Sequence, residues 1–514
     1  MAEAAQGAAA PPPPLRGGGL MAAALLLSLA NFMVVLDTTI ANVSVPHIAG
    51  GLAVSPAQGT WVITSYSVAE AITVPLTGWL VQRFGAVKVF IFAMLGFGVF
   101  SFACGLAPSF SLLVAFRVLQ GLCGGPIMPT SQTLLLYIFP REKGAQAIGI
   151  WSMTTVIAPI AGPTLGGLIS DSIGWNWIFF INIPVAIGVA FGSFLVLTSR
   201  ETPTRKVSVD AVGLALLIAW VGSLQIMLDK GKELEWFSSP VIVALAIVAA
   251  VGFVVFIVWE LTAENPIVNL KVFRHRGFVA GVIVISLTFG TFFSSVVLIP
   301  LWLQTTMGYT ATEAGYVSSL NGVFAVIMSP IVARLLGKFD ARALVSFGVG
   351  SMALIAIWRS TFTTDASFVS IALPFLAQGF VIPFFFIPGT AITLGSVRPE
   401  ETASAAGLSN FLRTTSAAFA TSIMTTAWDN TATAKRAVLA GRLNGFDQTV
   451  SRLVAHGLTP AQASGQIDRM LQIQAVMLST NEMFFVSAFM FMIAASVVWL
   501  APKRRGGGSV MGGH

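Results

Sequence analysis

Apolar residues in this chain run unbroken over stretches longer than a soluble helix or strand uses, with polar residues gathered in short intervals between them. One series of runs falls at roughly 20–41, 60–81, 88–108, 110–138, 145–169, 177–198 and 210–228. A second falls at about 240–261, 278–303, 313–336, 342–361, 367–395, 404–427 and 481–501, making fourteen in all. Crossing the hydrocarbon takes about 20 residues, and every backbone amide there must be paired within its own segment, so each run predicts a transmembrane helix. The third and fourth runs are parted by little more than Pro108. Residues 1–19, Ala-rich with Pro11 to Pro14 and Gly17 to Gly19, have no packable face and predict a disordered tail. The stretch 16–36 invites comparison with a cleaved leader. Yet it continues through Val35 into Asp37 and Asn42 with no small-residue cleavage site at its end, and reads as span 1.

Composition agrees. Of 514 residues, 55% are apolar and 10% charged, with a mean hydropathy of +0.84. A soluble domain carries about 25% charge. A soluble enzyme, a nucleic-acid-binding domain and a disordered protein are excluded, and an all-α polytopic membrane protein is expected. Cys104 and Cys123 lie in apolar runs with no His nearby, which fits small buried side chains and neither a disulfide framework nor a metal site.

The net charge of +7 is explained by its distribution. One set of alternate intervals and tails holds 18 of the 28 Lys and Arg: Arg16, Arg83, Lys88, Arg141, Lys143, Arg200, Arg205, Lys206, Lys271, Arg274, Arg276, Arg334, Lys338, Arg342, Arg398, Lys503, Arg504 and Arg505. The opposite short intervals hold three, Lys230, Lys232 and Arg359. The positive-inside rule then places both termini in the cytoplasm, with the lipid bilayer as the partner of the charge. The interval 428–480, on the outer side, is the one long polar insertion. Its Thr459-Pro460-Ala461-Gln462 is a capping box with Pro at the first helical position, so at least one surface helix is expected there, either a solvated cap or a docking surface.

Two short matches recur at nearly one offset. Arg117-Val118-Leu119-Gln120-Gly121-Leu122 is echoed by Phe375-Leu376-Ala377-Gln378-Gly379-Phe380, 258 positions on, and Arg83-Phe84-Gly85 by Lys338-Phe339-Asp340, 255 positions on. Both fall in corresponding places if 20–200 and 271–501 are two parallel six-helix halves, with two inserted helices in 201–270 and a cytoplasmic tail at 502–514. Two such halves with a site between them are the build of an alternating-access transporter.

Several segments carry a resemblance: Leu36-Asp37-Thr38-Thr39-Ile40-Ala41-Asn42-Val43, Gln58-Gly59-Thr60-Trp61-Val62-Ile63-Thr64-Ser65, Arg117 to Gly121, Gly162-Pro163-Thr164-Leu165-Gly166-Gly167, and Trp175 to Pro184. On these the chain resembles the fourteen-helix drug:proton antiporter branch of the major facilitator superfamily, and within it the EmrB-type multidrug exporters. The resemblance implies a proton-driven exporter of hydrophobic or amphipathic molecules in a bacterial inner membrane. It implies as partners a periplasmic EmrA-type adaptor, meeting the 428–480 insertion, and through it an outer-membrane channel. It gives Arg117 a part in proton transfer and Arg83 a part in gating. The span 5 motif, with Pro159, Gly162, Pro163, Gly166 and Gly167, is implied to bend and pack against the opposite half, hindering leak. Two departures stand out: Gln82 where the first cytoplasmic loop usually has Asp, and Ala158 at the motif's first glycine position.

An ionisable group at the bilayer centre costs about 2.5–3.5 kcal/mol, so Asp37, Glu70, Arg117 and Arg413 each need a reason. Asp37, about three turns into span 1, reads as the proton carrier, against a structural acid paired with an arginine or a helix dipole. Glu70 reads as a second proton site, a counter-charge for cationic substrates, or a polar residue facing a crevice. Arg117 and Arg413 are the fixed charges that could return Asp37 to its ionised form, or plain counter-ions. Phe292, Phe293, Phe384, Phe385, Phe386 and Phe411 could line a cavity for flat hydrophobic compounds, with Asn42, Gln120 and Asn410 as its polar members. Trp175, Trp177, Trp236 and Trp499 read as interfacial belt. No Gly-x-x-x-x-Gly-Lys-Ser/Thr sequence and no Ser/His/Asp arrangement is legible, so the expectation is no enzyme, no ATP, no cofactor and no metal. The rival expectations are a dedicated exporter of one metabolite, siderophore or lipid, and a substrate sensor on a transporter fold.

Overall fold

The structure, a computed structural model, describes Leu15 and residues 17–140, 143–442, 446–456 and 458–503. Arg16, Arg141, Arg504, Arg505 and most of both expected tails lie outside the described residues. Regular structure among the described residues is helical, and helix occupies every one of the fourteen apolar runs. α1 (Gly17–Gly51) fills the first run and α2 (Pro56–Gly59) is one turn beyond it. α3 (Trp61–Thr73) and α4 (Thr77–Phe84) share the second, parted at Pro75; α5 (Ala86–Gly105) fills the third. α6 (Phe110–Gly124) and α7 (Ile127–Ile138) share the fourth, α8 (Gly144–Ser172) fills the fifth, and α9 (Trp177–Phe180) with α10 (Asn182–Leu197) the sixth. α11 (Ala211–Lys230), α12 (Pro240–Thr262), α13 (Arg276–Thr305), α14 (Ala311–Leu335), α15 (Ala341–Arg359) and α16 (Phe368–Leu394) take the next six. α17 (Thr402–Gly441), α18 (Phe446–Ala455) and α19 (Pro460–Val497) end the chain, the first and last covering the final two runs.

Eleven of these segments are each long and apolar enough to cross a bilayer, and α8 makes a twelfth as a span bent by 48° between Pro159 and Thr164. The other two runs are the broken α3–α4 pair and the Ser/Thr/Ala-rich α17, so the arrangement is compatible with fourteen spans. α1 begins three residues before the expected span, inside the expected tail. Leu15 and Leu20 pack on the core there, which outweighs the low helix propensity of three glycines.

The 428–480 insertion holds more helix than the minimum of one surface helix expected. α17 and α19 themselves run on past the apolar segments as an antiparallel helical hairpin, with α18 at its tip. The capping box forms as read: Thr459 Oγ1 accepts from the Gln462 N–H at 3.3 Å, and Gln462 Oε1 accepts from the Thr459 N–H at 2.9 Å. Trp428 Nε1 donates to Thr480 Oγ1 at 2.9 Å, and Lys435 pairs with Glu482 at 3.0 Å, tying the two helices together.

α1 packs along α8 and α10, and α3 along α6; α13 packs along α17, and α14 and α15 along α16. The two groups meet where α8 lies on α14 and α16, and where α17 lies on α4 and α7. The ends of the bundle are called here the basic end, where α5, α13 and α15 begin, and the hairpin end. Contacts bridge the two groups at both. At the basic end a Cβ on Gly78 would collide with Ser404 Oγ, and one on Gly149 would stand 3.1 Å from Ala333 Cβ. Midway, Asn410 Nδ2 donates to Gln132 Oε1 at 2.7 Å. At the hairpin end the α11–α12 turn touches both groups: Lys230 donates to Thr60 Oγ1 at 2.6 Å, and Trp236 Nε1 to Thr426 Oγ1 at 3.0 Å. Lys232 pairs with Asp429.

Candidate functional site

Asp37 sits on α1 with 2% of its surface exposed, inside a closed polar cluster. Arg117 Nη1 donates to Asp37 Oδ2 at 2.7 Å and to Gln120 Oε1 at 2.8 Å; Arg117 Nε donates to the Val62 carbonyl at 3.0 Å. Asp37 Oδ1 accepts from Asn182 Nδ2 at 2.6 Å and Gln120 Nε2 at 3.3 Å. Asn182 also reaches Ser101 Oγ at 3.1 Å. The Arg117 guanidinium lies 4.2 Å above the Tyr66 ring, and its Nη2 has no hydrogen-bond partner among the described residues. A buried ion pair is tolerable only when further hydrogen bonds satisfy its remaining lone pairs and protons; Gln120, Asn182 and Val62 do this for Asp37 and for Nε and Nη1 of Arg117, but not for Nη2. α6 reaches α3 closely enough because a Cβ on Gly121 would stand 2.5 Å from the Tyr66 carbonyl.

Of the two arginines considered for Asp37, the structure joins Arg117 and separates Arg413. Arg413 is buried on α17 among three rings, 5.1 Å from Phe289, 5.5 Å from Phe386 and 5.8 Å from Trp151. Its Nη2 lies 3.5 Å from Met128 Sδ, and its Nε has no hydrogen-bond partner among the described residues. The carboxylate of Glu70, half-buried one helical turn after Tyr66, has no hydrogen bond or ion pair among the described residues, while its backbone carbonyl accepts from Thr73 Oγ1 at 3.2 Å. The charges of Asp37, Arg117 and Arg413 all act on it, so it lies within electrostatic reach of both the Asp37 cluster and the ringed arginine.

Phe292, Phe293 and Phe385 line a cavity, joined by Phe289, Phe375 and Phe386 and by Thr155, Pro159, Ser318 and Asn321. Its volume is about 40 Å³, room for a few waters, far below the several hundred Å³ of a drug-sized site. The other expected members lie elsewhere. Gln120 belongs to the Asp37 cluster. Asn42 is exposed on α1. Asn410 bonds Gln132 across the two groups. Phe411 turns away to meet the Trp220 ring of α11 at 5.8 Å, because the inserted helices offer an apolar surface on that side of α17.

The span 5 motif also differs from its expected contact. A Cβ on Gly162 would collide with Thr39, and one on Gly166 would stand 3.1 Å from the Ile40 carbonyl, so these glycines seat α8 against α1 of its own group. Gly167 faces open space. The opposite group is met by other residues of α8, Gly149 and Thr164. Pro159 and Pro163 belong to the bend. Arg83, exposed, donates to the Val207 carbonyl and lies 5.6 Å from the Trp79 ring, so it holds the segment before α11 and not the opposite group. Where Gln82 replaces the usual acid, Glu201 caps α5 instead, accepting from Val87 N at 2.9 Å and Lys88 N at 3.0 Å.

Asn182 and Tyr66 were not singled out from sequence, although a polar residue opening an apolar span is a legible signal. Arg359, counted as an interval cation, is 2% exposed at the end of α15; it donates to Gln378 Oε1 at 2.7 Å and lies 4.3 Å from the Phe375 ring. Both repeated Gln-Gly glutamines therefore accept from a guanidinium, Gln120 from its own helix and Gln378 from α15. Lys230, also counted there, is 5% exposed.

A model of the Major Facilitator Superfamily matches residues 27–421. The chain belongs to that superfamily. It is 47% identical over 492 residues to "Multidrug export protein EmrB" of Escherichia coli (strain K12), covering 95% of this chain and 96% of that protein. It is 42% identical over 488 residues to "Fatty acid resistance protein FarB" of Neisseria gonorrhoeae, covering 94% and 96%. The proton:xylose symporter XylE shares the fold with a TM-score of 0.59 at 14% identity, over 95% of this chain and 97% of that one. This superfamily member is an EmrB-type exporter by descent, a multi-pass membrane transporter and not an enzyme.

Proposed function

We propose that this protein is a proton-coupled antiporter that exports hydrophobic and amphipathic small molecules across a bacterial inner membrane by alternating access. The observation that carries the reading is the Asp37 carboxylate, sealed in the membrane region and bonded by Arg117, Gln120 and Asn182. An ionisable residue held inside the membrane is a functional-site candidate by default, and carboxyls in that position serve as proton relays in pumps and transporters. The excess of Lys and Arg at the basic end supports a cytoplasmic location for that end and for both termini.

In this reading the described arrangement is the occluded state. A proton added to Asp37 cancels its charge and leaves Arg117 without a counter-ion, so the α1–α6 joint loosens. Glu70, within electrostatic reach of both the Asp37 cluster and Arg413, is the group through which the other half senses that change. Substrate enters from the basic end when α4 and α17 part at Gly78 and Ser404, and the aromatic walls around Phe289 and Phe386 spread to admit it. Energy comes from the proton gradient, with no ATP or bound cofactor. The names of the relatives, a multidrug exporter and a fatty acid resistance protein, support apolar cargo. The α17–α19 hairpin supports a periplasmic adaptor as partner, making a tripartite pump.

The test is uptake of a fluorescent lipophilic dye into inverted vesicles with an imposed proton gradient. Accumulation that collapses with the gradient supports the proposal; accumulation indifferent to it contradicts it.

A further inference from the structure

A second cavity, of about 410 Å³, opens at the basic end between α13, α15, the end of α16 and the residues after α19. The proposed transport path does not use it. Its walls carry Arg274, Arg276, Arg342 and Lys503 against one acid, Asp340. Two of these cations are held in place. Arg274 Nη2 pairs with Glu401 at 2.6 Å, and Arg342 Nη2 with Asp340 at 2.8 Å, while Arg342 Nη1 donates to the Ala501 carbonyl at 3.1 Å. Burial pushes the Glu401 carboxyl up, but the hydrogen bonds from His275 and the Arg398 N–H, with the Arg274 charge, outweigh it and hold Glu401 below the usual carboxylate range. Hydrogen bonds from Arg342 do the same for Asp340, with a smaller contribution from the Lys503 charge. Both acids therefore stay ionised and serve as fixed props.

Arg276 and Lys503 have no ion pair among the described residues, so four cations stand against the two acids Asp340 and Glu401 and the cavity keeps a net positive charge. Gly277 and Gly395 leave part of its lining without side chains. The Arg342 guanidinium of its wall lies 5.3 Å from the exposed Trp499 ring, and the chain neighbours Phe273 (next to Arg274) and Leu500 (next to Trp499) are exposed apolar side chains. A charged hollow with hydrocarbon at its edge suits a ligand that is anionic at one end and apolar at the other. Arginine forks and a lysine are the groups that bind phosphate, and basic pockets between transmembrane helices on this face accept lipid headgroups.

We propose that this cavity is a binding site for the phosphate of an anionic phospholipid headgroup. Arg276 and Lys503 neutralise the phosphate, Arg274 and Arg342 orient it, and the acyl chains run out over Trp499 and Leu500. The bound lipid braces the basic ends of α13, α15 and α16 against the chain after α19.

The test is thermal melting of the purified full-length protein with added phosphatidylglycerol, phosphatidylcholine or inorganic phosphate. Phosphatidylglycerol is expected to raise Tm by several degrees more than phosphatidylcholine. Lys503→Gln should at least halve that difference, and Arg276→Gln with Lys503→Gln should abolish it. Arg276→Lys with Lys503→Arg should preserve it, as should Lys88→Gln, which removes a cation at the same end of the other half. The single Lys503→Gln, beyond the last helix, keeps the test valid if the double variant does not fold. A difference unchanged in Lys503→Gln, or equal shifts with the two lipids, overturns the site. An equal shift with inorganic phosphate alone, lost in the same variants, overturns the lipid and assigns the site to a free phosphate anion.

Discussion

Asp37 on α1 and Arg117 on α6 meet at 2.7 Å with both side chains closed off from solvent, and each is held by further polar groups of its own half. Breaking such a pair on one side leaves a buried charge uncompensated and costs about 3–5 kcal/mol, whereas removing both charges costs far less. Arg117→Met and Asp37→Asn should each lower thermal stability sharply, and the double variant should recover much of the loss. A double variant as unstable as the sum of the singles would show that the two do not act as a pair.

Gly162 and Gly167 are five residues apart in one motif and predict opposite outcomes. A Cβ at 162 has no space beside Thr39, so Gly162→Ala should destabilise by about 1–3 kcal/mol, the range for overpacking, and impair export. Adding Thr39→Ala should restore part of both. Gly167→Ala meets open space and should behave as the native chain does. Melting and export assays on the three variants check this.

Glu401 offers a pH prediction. Its folded-state pKa is depressed, so the stability it contributes is present above the ordinary Glu value of about 4.3 and is lost as pH falls through the folded value. Its partner Arg274 is about half exposed, which keeps the contribution near 1 kcal/mol or less. Glu401→Gln should melt about 1 °C lower than the native chain at pH 7, and the two should converge as pH falls below the ordinary Glu value and through the folded one. A constant gap would mean that the carboxylate charge is not the stabilising feature.

The aromatic cavity sets cargo range in this account. Phe293→Ala and Phe385→Ala remove rings from walls that must spread around substrate, and should shift the pattern of exported compounds more than the total rate for the best one. Phe411→Ala removes the contact with Trp220 and should lower stability, by about 3–5 kcal/mol for a buried ring, without changing the pattern. Susceptibility across a panel of unrelated compounds distinguishes the two.

The membrane spans were legible because hydrocarbon leaves little choice: a run of apolar residues there must be helix. Past the bilayer that constraint lapses, and hydropathy says nothing about α17 continuing to Gly441 or α19 starting at Pro460; only the Thr459 capping box marked the second. Counting Lys and Arg near span ends as interval residues misplaced Arg359 and Lys230, because a side chain at the mouth of a span can turn inward when a glutamine or threonine meets it. Asp37 and Arg117 stood out as charges in apolar runs, but their pairing depends on which helix faces came together. The fate of Phe411 depended on the inserted helices, whose packing surface no motif announces.

Proton release from inverted vesicles tests the central claim most directly. With a proton gradient imposed, hydrophobic compounds are added to vesicles carrying the native chain, Asp37→Asn or Glu70→Gln, with protein amounts matched. The account predicts compound-driven release with the native chain, none with Asp37→Asn, and reduced release with Glu70→Gln. Full release from Asp37→Asn would contradict it and move the proton site away from α1.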